Sequence, residues 1–330
     1  MDRRIGVIVL TGFLGSGKTT LLNRMLQSPR YADAAVVVNE LGSVGVDHHL
    51  LRHVAEGVTV IEGGCICCAV GGALADSLRE LFFLALRRTI KPFSSVIIET
   101  SGLASPAPVL FTLRHEPFLR ERFAYRGTVT VADPRLIQAQ LRGAPEAAQQ
   151  LALADFVALT KSDLASSEQG REARRAVQAV NPGVPLHDIH PAAPLPGVLL
   201  ADWLDLDAAL RAERRAGTSL KDIRVQHARN VVTWVQTVGT APSRAAFLGA
   251  MAGVQQILGE RLLRAKGVIQ IDGEAVPQVV QAVHGEHYPL TPLPAAPVPG
   301  IGRELVFIAT GMRPEALASV VAAHFGAWPG

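Results

Sequence analysis

Gly12-Phe13-Leu14-Gly15-Ser16-Gly17-Lys18-Thr19 reads G-x-x-x-x-G-K-T. The chemistry open to that spacing is capture of a phosphate. Glycines let the backbone turn its N–H groups inward on an anion, a lysine brings a mobile positive charge, and a threonine hydroxyl can ligate a divalent cation. A glycine-rich turn could show the same letters by chance. The flanks decide for phosphate: an apolar, β-branched run precedes the motif (Ile5 to Leu10) and a helix-like segment follows it (Thr20 to Gln27). A helix starting there adds its positive N-terminal end to the site. Gly12, Gly15, Ser16, Gly17, Lys18, Thr19 and Thr20 are therefore the expected cradle, with Lys18 on the β- and γ-phosphates and Thr19 on Mg²⁺.

Two further groups stand at the ends of apolar runs. Glu99-Thr100-Ser101-Gly102 follows Ser95 to Ile98. An acid in that place organises Mg²⁺ or its water shell, and Gly102 can offer a backbone N–H to a γ-phosphate. Thr160-Lys161-Ser162-Asp163 follows Phe156 to Leu159, a form of N/T-K-x-D in which the carboxylate accepts from N1 and N2 of guanine while the lysine stem lies along the base. Adenine lacks that donor pair, so the element selects GTP. Standing alone, the same four residues also fit a helix cap beside a solvated lysine. Their order behind the phosphate loop and Glu99 favours the nucleotide reading.

The chain has 3 cysteines, Cys65, Cys67 and Cys68, all inside Glu62-Gly-Gly-Cys-Ile-Cys-Cys68. An odd, tightly clustered set makes a poor disulfide framework and suits metal binding or thiol chemistry in a reducing compartment. Thiolates fit Zn²⁺ and Cu(I) and, less selectively, Co²⁺ or Ni²⁺; three of them leave a fourth position open, as a transfer site requires. Buried structural cysteines are the plainer alternative. His48-His49 and the pair His284 and His287 read more readily as loop residues than as ligands, since two histidines without a third partner make a weak site.

These residues need a scaffold that brings strand ends together. Strands are expected at Ile5–Leu10, Ala34–Val38, Val58–Ile61, Ser95–Ile98, Gly127–Ala132 and Asp155–Leu159. Between them lie helical segments, among them Val70 to about Thr89, a helix near Pro106, one begun by Asp133 as N-cap with Pro134, and Ser167–Val180. Strand and helix in alternation give a doubly wound α/β domain with a mainly parallel sheet and its functional loops at the carboxyl ends of the strands. Composition shifts around Pro191–Pro196 and Arg211–Thr218, so residues 1–218 are expected as a nucleotide domain and 219–330 as a smaller α+β domain. In the latter, strands are expected at Val231–Val238, Gly267–Asp272, Gln278–Val283 and Leu305–Ala309, helices at Arg244–Leu258 and Pro314–His324, and a loop over Pro289–Pro299.

A net charge of +3 without long runs of one sign gives no support for nucleic-acid binding. The start Asp2-Arg3-Arg4 before an apolar run imitates a signal peptide, but no small-residue cleavage site follows and the run is needed as the first strand. Elsewhere no uninterrupted apolar segment approaches the roughly 18 residues of a membrane span. A cytoplasmic protein is expected.

Taken together, the chain resembles the CobW-type GTPases, relatives of the nickel-insertion GTPases of urease and hydrogenase maturation. The resemblance rests on Gly12–Thr19, Gly64-Cys65-Ile66-Cys67-Cys68, Glu99–Gly102 with glutamate where aspartate is usual, Thr160–Asp163, and, toward the C-terminus, Gly267–Gly273 and Arg303–Ile308. It implies a P-loop fold and a slow GTP hydrolase using Mg²⁺. It also implies a metal chaperone that holds Zn²⁺, or Co²⁺ or Ni²⁺, at the three cysteines and passes it to a client metalloprotein, as a monomer or as a nucleotide- or metal-dependent dimer. Binding of nucleotide and zinc for regulation or storage, without delivery, is the alternative. Many members carry E-N-E-x-G-E after the second strand; here the loop reads Val38-Asn39-Glu40-Leu41-Gly42-Ser43, so only the central Glu40 stands, a candidate with Asp47 for Mg²⁺ or the attacking water.

Overall fold

Ile5–Thr11 (β1) is apolar at nearly every position because it is covered on both faces, with Val7, Ile8, Val9 and Leu10 at most 1% exposed. It is the central strand of one compact unit (Met1–Gln140, Ala154–Arg174 and Val184–Ala209). The structure is a computed structural model describing residues 4–39, 60–62, 72–200, 231–283, 286–287, 289–292, 304–326 and 328.

After β1 come helix α1 (Lys18–Leu26), β2 (Ala35–Asn39), β3 (Val60–Glu62), α2 (Gly72–Leu86), β4 (Ser95–Thr100), α3 (Ala107–His115) and α4 (Pro117–Arg122). Then follow β5 (Phe123–Ala132), α5 (Ile137–Gly143), α6 (Pro145–Ala152), β6 (Phe156–Thr160), α7 (Ser167–Val180), β7 (Leu186–Ile189) and α8 (Gly197–Leu200). Among the described residues the sheet has seven strands in the order β3-β2-β4-β1-β5-β6-β7, every pairing parallel. The chain runs to one side of β1 through β4 and to the other through β5, so the carboxyl end of β1 is the switch point where such sheets bind ligands. Leu21, Leu22 and Met25 of α1 pack on Ile8, Leu10 and Ile97, which fixes the helix start directly behind the loop that leaves β1.

The second unit (Leu141–Leu153, Arg175–Gly183 and Leu210–Gly330) holds β8 (Val231–Thr237), α9 (Arg244–Leu258), β9 (Leu262–Ile269), β10 (Gln278–Val283), β11 (Glu286–His287), β12 (Thr291–Pro292), β13 (Glu304–Thr310) and α10 (Pro314–Phe325). Its sheet is antiparallel, β11-β10-β9-β13-β8 with β12 beside β10. Phe247, Phe307 and Phe325 join both helices to that sheet in one core. Side chains of two strands close helix ends: Thr233 donates to Val180 O (2.7 Å), and the buried Arg264 donates to Leu153 O (3.1 Å).

Several elements differ from the sequence expectations. β5 starts at Phe123, four residues early, because Phe123 and Ala124 are buried beside Ile5 and Gly6 and a register shift between Val7 and Ile8 absorbs the extra residue. β9 spans Leu262–Ile269 instead of Gly267–Asp272, since Gly267 lies within the strand at the close approach to β13. The expected loop Pro289–Pro299 contains the short strand β12. Regular helix after Asp133 begins only at Ile137, although the Asp133 carboxylate does accept from the Arg135 N–H (3.0 Å) as a cap would.

Candidate nucleotide-binding site

Backbone conformation makes the loop after β1. Gly12, Gly15 and Gly17 have φ of +142°, +71° and +94°, a region that side chains rarely enter. At Gly12 a Cβ would also lie 2.2 Å from Val131 O, so the loop touches the carboxyl end of β5 where only glycine fits. Gly17 precedes α1 and turns the chain into it. Ser16 N–H donates to Phe13 O (3.1 Å), and Lys18 Nζ reaches back to Gly12 O (3.0 Å), which holds the ammonium over the loop. The hydroxyl of Ser16 is fully buried without a hydrogen-bond partner among the described residues. Thr20 lies exposed one residue beyond Thr19.

From the β4 side, Glu99 is only 4% exposed and accepts from the Thr19 hydroxyl at 3.0 Å. Thr100 donates to Thr11 (2.8 Å) and locks the two strand ends together. A Cβ at Gly102 would stand 2.8 Å from Leu14 N and 2.9 Å from Leu14 Cα, so this glycine exists to let the two loops touch. Thr19 and Glu99 form a pair of hard oxygen donors, the set that Mg²⁺ takes alongside phosphate oxygens.

The β6 side grips the same loop. Thr160 donates to Ser16 O (2.5 Å), and Lys161, itself at φ +54°, donates to Gly15 O (2.6 Å). Asp163 lies exposed in the short turn Ser162–Leu164. Gly102, Thr160 and Lys161 thus meet the phosphate loop directly, and Glu99 meets Thr19 at its end.

Asp133 is expected from the sequence only as a helix N-cap and Arg135 carries no expectation, yet both stand beside this cluster. Asp133 is fully buried; its Oδ2 accepts from Arg135 Nη2 at 2.7 Å, and Lys161 Nζ lies 3.4 Å away. Burial alone would raise the Asp133 carboxyl, but hydrogen bonds from Arg135, with the charges of Arg135 and Lys161, hold it below the usual carboxylate range. A signal was available: a buried strand ending on an acid, as β4 ends near Glu99.

Cys65, Cys67 and Cys68, Glu40, Ser43, Asp47, His48, His49 and His284 lie outside the described residues. His287 is in β11, opposite Ala282. Among the described residues no three His, Cys, Asp or Glu side chains gather as a metal site, and no helix is long and apolar enough to cross a membrane.

A phosphate loop at the switch point of a parallel sheet, with an acid at the end of the adjacent strand β4 tied to Thr19 and with Thr160 and Lys161 at the end of β6 gripping the loop, defines a P-loop nucleotide-binding protein. Residues 6–188 match the CobW/HypB/UreG nucleotide-binding domain and residues 231–324 the cobalamin synthesis protein CobW C-terminal domain; the chain belongs to this family. It is 28% identical over 271 residues to the zinc chaperone YjiA of Escherichia coli, covering 82% of this chain and 83% of that one. To the zinc chaperone CobW of a Sinorhizobium species it is 27% identical over 310 residues, 85% of each chain. The crystal structure of Zn(II)-bound YjiA GTPase from E. coli shares the fold, with a TM-score of 0.67 at 20% identity over 98% of this chain and 99% of that one.

Proposed function

We propose that this protein is a GTP hydrolase that carries Zn²⁺, or Co²⁺ or Ni²⁺, and couples its nucleotide state to delivery of the metal to a client protein. The observation carrying the GTPase half is the meeting of Thr19 and Glu99 at 3.0 Å beside a phosphate loop that Thr160 and Lys161 also grip. In this reading Gly12–Thr20 hold the phosphates, Lys18 neutralises the charge that develops on them, and Gly102 meets the γ-phosphate. Thr19 and Glu99 hold Mg²⁺ directly or through water, and Asp163 reads guanine. Bound Mg²⁺ supplies charge neutralisation to the phosphates. Glu40 positions the attacking water. Turnover is slow without a partner's catalytic group.

The metal half rests on residue chemistry and on relatives called zinc chaperones. Cys65, Cys67 and Cys68 supply soft thiolates in the stretch of sequence between Glu62 and Gly72, and hydrolysis of GTP relaxes their grip on the ion. Residues 1–218 form the GTPase, 219–330 recognise the client, and the protein works in the cytoplasm. The test is hydrolysis of GTP against ATP, with and without Zn²⁺, in the full chain and in Cys67→Ser. GTP preference and a loss of zinc affinity in the variant are expected. Equal use of ATP would sink base selection, and unchanged zinc affinity would sink the thiolate site.

A further inference from the structure

The turn that carries Asp163 leaves β6 through Lys161, a non-glycine residue in the left-handed region, and closes with Leu164 N–H on Lys161 O (3.0 Å) and Ala165 N–H on Ser162 O (3.3 Å). Behind it, Thr160 and Lys161 are tied to the phosphate loop. Ahead of it, Ser166 and Gln169 cap α7 reciprocally: Ser166 Oγ accepts from Gln169 N–H (3.2 Å) and Gln169 Oε1 from Ser166 N–H (2.9 Å). Asp163 stands exposed between these two held ends. A third tie meets its neighbour. The Ser162 hydroxyl donates to Asp188 Oδ1 at 2.8 Å, reaching across to β7, where Asp188 lies opposite Leu159. Leu159 O stands 3.5 Å from the same hydroxyl, and its single hydrogen serves the nearer, charged acceptor. The other oxygen of Asp188 pairs with Arg174 of α7. One acid near the end of β7 therefore binds both the turn before α7 and the helix itself.

We propose that Asp188 is a positioning residue for base recognition: by holding the Ser162 hydroxyl it fixes the turn from which the next residue, Asp163, presents its carboxylate to N1 and the 2-amino group of guanine. The inference rests on the guanine-reading role proposed for Asp163. Two parallel contacts from one carboxylate require its plane to be held, and a turn free to swing on Lys161 would keep one contact at the expense of the other. The side chain of Asp188 is 48% exposed, so its pairings add little to stability and it can be changed without opening a core. What they restrict is the place of the turn.

The test measures GDP, IDP and ADP binding to the wild-type full chain and to Ser162→Ala, Asp188→Ala, the double variant, Ser162→Thr and Arg174→Gln, with a thermal melt beside each. IDP is the informative probe because hypoxanthine keeps N1–H and lacks the 2-amino group. Wild type should prefer GDP over both other nucleotides. Ser162→Ala and Asp188→Ala should each lower the GDP:IDP affinity ratio by about three- to tenfold, the size of one hydrogen bond, and the double variant should lose no more than either change alone. Ser162→Thr, which keeps the hydroxyl, should keep the ratio. Arg174→Gln, which removes the ion pair and leaves the acceptor, should keep it too. A merely structural role would move the melting temperature and not the ratio, so a wild-type ratio in either alanine variant overturns the inference alone. A ratio that falls as far in Arg174→Gln as in Asp188→Ala overturns it as well. A wild type that binds GDP no better than ADP or IDP removes the guanine reading and this inference with it.

Discussion

Replacing Gly102 by alanine should weaken nucleotide binding without unfolding the protein. The added Cβ would sit 2.6 Å from Leu14 Cδ2, 2.8 Å from Leu14 N and 2.9 Å from Leu14 Cα. Leu14 is 53% exposed, so its side chain can swing away. Its backbone cannot, because it is part of the phosphate loop. The contact must open by several tenths of an ångström, and overpacking of this kind costs about 1–3 kcal/mol. Moving the loop off its nucleotide geometry relieves the strain, so the cost falls mainly on binding, as about a 5- to 150-fold loss in affinity. Titration of a fluorescent GDP analogue with a thermal melt beside it measures both quantities. Two controls calibrate the result: Gly15→Ala faces open space and pays only for its φ of +71°, whereas Gly12→Ala would place Cβ 2.2 Å from Val131 O and should lower the melting temperature as well. Wild-type affinity in Gly102→Ala would refute the argument that loop contact fixes the site.

Thr160→Val deletes the hydroxyl that donates to Ser16 O, leaving that carbonyl short of a donor at a cost of about 1–3 kcal/mol; faster GDP dissociation in stopped-flow measurements is the expected result. Asp133 has a depressed folded-state pKa, so the stability it contributes is complete above the unfolded carboxylate value of about 3.9 and is lost as pH falls through its lower folded value. Urea unfolding at a series of pH values below about 5 should show that acid-sensitive step in wild type and a diminished one in Asp133→Asn. In the second unit, Phe325→Ala removes a ring packed on Phe247, Phe307 and Trp328 and should cost about 3–5 kcal/mol, read by denaturant titration.

Motifs and strand runs were legible in the sequence where one local rule settled them. Gly12–Thr19 declared a loop because three glycines and a β-branched run leave few other conformations, and Arg244–Leu258 and Gln278–Val283 carry their own periodicity and stop signals. The start of β5 was not legible, because Phe123–Arg126 becomes strand only by pairing with Ile5–Val7, a partner more than a hundred residues away. β9 was misplaced for the same reason: Gly267 looks like a strand boundary until Glu304 and Leu305 are laid across it. Asp133 was visible as a letter and as a cap. Its burial between Arg135 and Lys161 depends on β5 and β6 being neighbours, and no spacing along the chain states that.

The phosphate loop has few backbone hydrogen bonds of its own and takes its shape from its neighbours. Gly102 presses on Leu14 from one side, Thr160 and Lys161 bind the carbonyls of Ser16 and Gly15 from the other, and Thr19 is tied to Glu99 in front. A loop held this way cannot change shape alone. Phosphate that pulls Lys18 away from Gly12 O must also alter the contacts to β4 and β6, so occupancy of the site is felt at two strand ends at once. The same ties run in reverse: under the guanine-reading role proposed for Asp163, a base seated there would pre-set Lys161, and through it Gly15, for the phosphates. Affinity for base and for phosphate should therefore be coupled, and Lys161→Ala should weaken GDP binding by more than its loss of binding to inorganic pyrophosphate and to guanosine, measured separately, can account for.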